Sequence, residues 1–266
     1  MNIYRHELKS FAKSTIIWTC SLTVMIVLYL LLFPAFTKDI AVTRKLFSAL
    51  PKAARAALDL DLDTFFSLLG FYSYLLNFVV LAGAIQAMNI GAGIISKEYR
   101  FKTADFLLSK PVTRTKVMTQ KLLAALTLIL ATDVVFISSA LAWAKIMIEE
   151  PFSAKIFLML SAILVFVQLI FLVLGALFAT VFSRIKSVVS VTLPTVFALF
   201  IVDMIGSILD AKNYRYFTPF KYFDSQYIMK HAAYEWRFII LEVVVIACCI
   251  AASYIIYLKK DIASVT

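Results

Sequence analysis

Apolar residues gather along this chain in six long runs, separated by stretches where charged and turn-forming residues return. Each run reaches the roughly 20 residues that a helix needs to cross a hydrocarbon core about 30 Å thick, and their length and periodicity exclude barrel strands. The pattern predicts membrane helices over Thr15 to Phe36, Tyr72 to Ile95, Leu122 to Ile148, Ile156 to Phe182, Val188 to Leu209 and Trp236 to Leu258. The expected fold class is an all-α integral membrane protein with six transmembrane helices and shorter helices between them. The first run is too long for a signal peptide and lacks a small-residue cleavage site, so it is expected to stay.

The first 14 residues have their own pattern. At about 100° per residue, Tyr4, Leu8, Phe11 and Thr15 share one face, while Arg5, Lys9 and Lys13 recur on the opposite side. Residues 1–14 read as an amphipathic interfacial helix, apolar side in lipid, or equally as an extension of the first membrane helix; residues 15–266 form the transmembrane domain. Within that domain, segment 37–71 is expected to be external, with one or two short helices started near Pro51 and stopped at Gly70. Segment 210–235 is the second external connection; its crowd of aromatics suits the head-group level. Gly83, Ala87 and Gly91 put a small residue at every fourth position of the second span, a face that lets another helix approach closely.

Composition agrees: with 62% hydrophobic residues and a mean hydropathy of +0.92, the apolar surface exceeds what one soluble core could hide. The formal charge of +10 would suggest nucleic acid for a soluble chain. Here the basic residues concentrate beside helix ends, at the N-terminus, after the second span, at Arg184 to Lys186 and in the tail, which places those segments against the anionic cytoplasmic leaflet. The reading is a multi-pass protein of the cell membrane with both termini cytoplasmic, lipid as its surroundings and no nucleic acid as a partner. Cys20, Cys248 and Cys249 all fall in apolar runs and read as packing residues.

Soluble-enzyme chemistry is missing. No GxxxxGK[ST] phosphate loop occurs, and the two histidines, His6 and His231, are expected on opposite sides of the membrane. With no HExxH and no clustered cysteines, no metal site and no catalytic residue is assigned. Asp59, Asp61 and Asp63 lack the central Gly and closing Glu of a calcium loop. Three acids stand inside predicted spans, Asp133, Asp203 and Glu242, where a carboxylate must face the bundle, a partner or water. They either line a translocation path or are structural, Arg237 being placed to pair with Glu242; Gln168, Asn77, Gln86 and Asn89 extend a polar seam.

The segment 96–121 is basic and carries a short helix of its own. On the wheel Phe101, Ala104, Leu107 and Leu108 share one arc, while Phe106 falls among Lys102, Thr103 and Lys110. An aromatic on the basic, cytosol-facing side points to a pocket on another protein. Pro111 ends this helix, and Thr113 caps the next.

The stretch KEYRFKTADFLLSKPVTRTKVMTQK resembles the link between membrane helices two and three in permease subunits of ABC-2 type transporters, through Glu98, Thr103, Leu107, Leu108, Pro111, Val112, Thr113, Arg114 and Lys121. Lys102 stands where that family usually has Gly. YRHELKSFAKS, LPKAARAAL leading to GFYSYLLNFV, and TPFKYFD before the last helix extend the resemblance over nearly the whole chain. It implies a coupling helix at 96–121 that docks on a separate ATP-binding subunit through Glu98, Phe101, Thr103, Phe106, Leu107, Leu108, Pro111 and Arg114. It also implies a second permease copy, in a homodimer or heterodimer, and ATP with Mg on the partner rather than on this chain. The function expected is transport, not catalysis, in an ATP-driven exporter. Two rivals stand beside it: an ion-coupled secondary transporter using Asp133, Asp203 and Glu242, and a non-transporting scaffold that recruits a cytosolic partner.

Overall fold

Lipid offers the backbone no hydrogen-bond partners, so runs this long and apolar satisfy their amides internally as helices. The computed structural model describes residues 3–100, 112–147, 151–182, 185, 187–211 and 213–259, with the backbone alone for 98–100. Among them are nine α-helices: α1 (Ile3–Thr37), α2 (Ile40–Ser48), α3 (Lys52–Ala57), α4 (Leu68–Arg100), α5 (Arg114–Met147), α6 (Ala154–Val181), α7 (Val189–Leu209), α8 (Ser225–His231) and α9 (Trp236–Lys259). Helices α1, α4, α5, α6, α7 and α9 supply six stretches long and apolar enough to cross a membrane.

Side-chain caps set several of the boundaries. Asp39, Ser153 and Asp224 accept from backbone N–H groups at the starts of α2, α6 and α8, and the Thr113 hydroxyl accepts from Lys116 N at 3.3 Å ahead of α5. The amphipathic start is continuous with the first span, one helix from Ile3 to Thr37. Gly70, expected as a stop, lies instead in the first turn of α4. The incoming connector folds over the helix start there, so close that a Cβ would fall 1.9 Å from the Thr64 carbonyl oxygen.

Helices α4 and α6 form the centre, with 72% and 61% of their most apolar stretches buried, whereas α7 and α9 bury only 17% each. Small residues make the central contact. A Cβ on Gly91 would fall 2.0 Å from Leu172 O, one on Gly175 would fall 2.5 Å from Met88 O, and one on Gly83 would fall 2.4 Å from Leu164 Cδ1. Ala87 is fully buried between Gly83 and Gly91. Without a hydrophobic drive between helices in lipid, such backbone approach and the dispersion it gathers hold the pair together. Helix α1 runs along α5, and α9 lies on α6. At the end opposite the N-terminus, Phe33, Phe36, Phe47, Phe65 and Phe71 tie α1, α2, the 58–67 connector and α4 by tilted and edge-on ring contacts.

Candidate functional site

Polar groups buried in an apolar bundle need partners, and they occur here at three depths. The first lies at the N-terminal end. Glu7 of α1 meets Lys97 of α4 at 2.5 Å and Lys121 of α5 at 3.5 Å. Lys121 also donates to Ile94 O of α4 at 2.5 Å. The Glu7 and Lys121 side chains are only 2% and 1% exposed. Such a charge cluster is costly to desolvate and survives through its mutual attraction and hydrogen bonds. Around it the Phe11 ring lies under the Lys97 ammonium, and the Tyr4 hydroxyl meets Thr127 at 3.0 Å. One carboxylate thus joins the end of α4, the start of α5 and α1.

Glu7 was assigned no role from the sequence. Its signal was available: on the wheel that groups Tyr4, Leu8 and Phe11, Glu7 falls beside the apolar arc rather than among the lysines.

Of the residues expected to couple to an ATPase, Phe101, Thr103, Phe106, Leu107, Leu108 and Pro111 lie outside the described residues, as does the side chain of Glu98. Arg114 opens α5, and its Nη1 donates to Leu258 O near the end of α9 at 3.2 Å. Glu7 holds Lys97 near the start of segment 96–121 and Lys121 at its end.

The second layer crosses the middle of the bundle. Gln168 of α6 donates to Gln86 of α4 at 3.3 Å, Gln86 donates to the Thr132 hydroxyl of α5 at 3.0 Å, and Thr132 meets Thr19 of α1 at 2.9 Å. Four helices are stitched by one chain of hydrogen bonds. Beside Thr132, Asp133 is buried with both carboxylate oxygens lacking a hydrogen-bond partner among the described residues. Asn89 Oδ1 is in the same position. Glu242 of α9 is buried with Oε2 unpartnered, and among the described residues it has no ion pair with Arg237, whose guanidinium lies 5.8 Å from the Trp236 ring centroid instead.

The third layer closes the opposite end. Lys221, in a short turn between α7 and α8, bonds Asp59 at 2.7 Å, and Asn77 of α4 donates to the other Asp59 oxygen at 3.4 Å. Asp203 of α7 lines the same cavity of about 70 Å³ with Ser73 and Ser225. Burial opposes the charge on Lys221, yet Asp59, Asp224 and Asp203 outweigh it and hold its ammonium above the usual lysine range. Arg215 pairs with Glu235 at 2.6 Å and stacks 4.2 Å from the Phe238 ring centroid. The other aspartates are engaged locally: Asp61 accepts from Asp63 N and the Thr64 hydroxyl, and Asp63 lies 3.9 Å from Arg44.

The bundle thus couples its helices by a charge cluster at one end, an uncharged seam at mid-depth and an ion pair at the other end. A family model described as ABC-2 family transporter protein matches residues 1–262. No curated protein matches the chain.

Proposed function

Because the chain belongs to the ABC-2 family of transporter proteins, it is a multi-pass membrane component of an ABC transporter, and we propose that it is the permease subunit of an ATP-driven exporter. In this reading a separate ATP-binding subunit, with its ATP and Mg, docks on the segment holding Glu98, Phe101, Thr103, Phe106, Leu107, Leu108, Pro111 and Arg114. The N-terminal end faces the cytoplasm, since that is where the segment meets an ATPase and where the basic residues concentrate. A second permease copy completes the substrate path, and lipid surrounds the pair.

The observation that carries the reading is the Glu7 cluster. Lys97, near the start of the segment, and Lys121, at its end, are held by one carboxylate on α1. A push on the segment is therefore delivered to α1, α4 and α5 together, as a rigid-body displacement rather than a local bend. The test is co-purification of the ATP-binding subunit from native membranes with Phe106→Ala and with Leu108→Asp. Loss of the ATPase with membrane insertion intact is expected. Full retention of the ATPase by both variants would overturn the docking assignment.

A further inference from the structure

At the end opposite the N-terminus, one ammonium lies among carboxylates carried by different elements. Lys221 bonds Asp59 of the 58–67 connector at 2.7 Å. Asp203 of α7 lines the same cavity, lies within electrostatic reach of that ammonium, and has a buried Oδ1 without a hydrogen-bond partner among the described residues. We propose that Lys221 is the moving member of an ion-pair latch: bound to Asp59 it closes the connector over α4, and transferred to Asp203 it frees the connector and opens the cavity.

Four features support two arrangements rather than one fixed pair. Either pairing leaves the other carboxylate without the ammonium, which gives the lysine two alternative partners, as a two-state element requires. Asp59 has a left-handed backbone with φ of 53°, a sparsely populated conformation that persists only while its surroundings hold it. The lysine stem is long and flexible, and the cavity of about 70 Å³ gives it room to swing. Finally, α7 is among the least buried of the long helices, whereas the α4 and α6 backbones are in contact and cannot shear cheaply.

The remaining charged groups nearby have bonds of their own, although the charge of Asp224 also acts on Lys221. Asp224 caps α8 by accepting from Gln226 N at 2.9 Å, and Arg215 is paired with Glu235. A neutral hydrogen bond from Gln226 to Thr64 at 3.2 Å also joins the two connectors, a weak tie that release of the latch would break.

The test uses the full chain in phosphatidylcholine nanodiscs, with Cys20, Cys248 and Cys249 replaced by Ala and Ser73→Cys as a reporter in the cavity wall. The rate of modification by a charged methanethiosulfonate is measured. Asp59→Asn is expected to raise that rate at least tenfold, because the closed pairing is lost. Asp203→Asn is expected to lower it severalfold, because the open pairing is lost. Shifts of the same sign, or no shift in either variant, would overturn the latch. The exchanged pair, Asp59→Lys with Lys221→Asp, guards against simple misfolding: it is expected to label at the parent rate, and a rate tenfold higher would also overturn the proposal. No ATPase partner and no membrane sidedness enter the measurement, so its failure would leave the transport reading untouched.

Discussion

Glu7 of α1 lies 3.5 Å from Lys121 of α5, and both side chains are almost wholly withdrawn from solvent. The same carboxylate meets Lys97 of α4 at 2.5 Å. Three helices therefore depend on one acid.

Glu7→Gln is expected to destabilise the protein by about 3–5 kcal/mol, the usual loss when one member of a buried ion pair is removed. The larger part comes from removing the carboxylate that faces the Lys97 and Lys121 ammoniums, so adding Lys121→Met should recover part of the loss. Thermal unfolding in detergent measures both. An unchanged midpoint for Glu7→Gln would show that the cluster contributes nothing.

The contact between α4 and α6 separates two glycines of the same helix. Gly91→Val should prevent native packing, because its Cβ would overlap Leu172 O at 2.0 Å. Gly93→Ala should be tolerated, since its Cβ meets only the Phe11 ring at 3.3 Å, and a ring edge yields where a backbone does not. Size-exclusion profiles and thermal midpoints of the two variants distinguish these outcomes; equal effects would contradict the close approach.

Asp133 should behave in the opposite way to Glu7. Both of its oxygens are buried without a hydrogen-bond partner among the described residues, and an unsatisfied buried polar group costs about 1–3 kcal/mol. Asp133→Leu is accordingly expected to leave the isolated chain as stable as before or more so, by thermal unfolding. A marked loss would mean that the carboxylate has a donor supplied by a second subunit or by water.

Tyr234, just ahead of α9, donates to Met159 O at 2.9 Å, and burial pushes its phenol up to about 12 from the ordinary 10.0. The folded value lies above the unfolded one, so the associated stability is complete below about pH 10 and disappears as pH climbs through about 12. In an alkaline titration followed by tyrosinate absorbance, the difference between parent and Tyr234→Phe should show a midpoint near 12. A midpoint near 10 would mean that the hydroxyl is solvated.

The spans were legible because hydropathy is what a bilayer selects. Their ends were not: α4 continues through Lys97 and α5 begins at Arg114, since charged residues at a helix end extend past the hydrocarbon and still form intrahelical bonds. The small-residue spacing of Gly83, Ala87 and Gly91 was visible, but that α6 answers with Gly175 requires knowing which helices meet. Gln86 and Gln168 announced a seam, while Thr19 and Thr132, which complete it, look like ordinary residues of apolar helices. The pairing of Asp59 with Lys221 could not be read at all, because it joins residues far apart in sequence and the local patterns of each suggest turns.

The position of α4 also bears on how the protein is made. It is the least apolar of the six candidate spans and the most deeply buried, while α6, which covers its glycines and its glutamine, is the most apolar. A ribosome delivers α4 before α6 exists, so for the time needed to synthesise the intervening residues the Gln86 carbonyl lacks its Gln168 donor and the glycine groove stands empty. A nascent chain halted before α6 would be a substrate for membrane quality control, and completing α6 is the step that converts a poorly inserted helix into the centre of the protein.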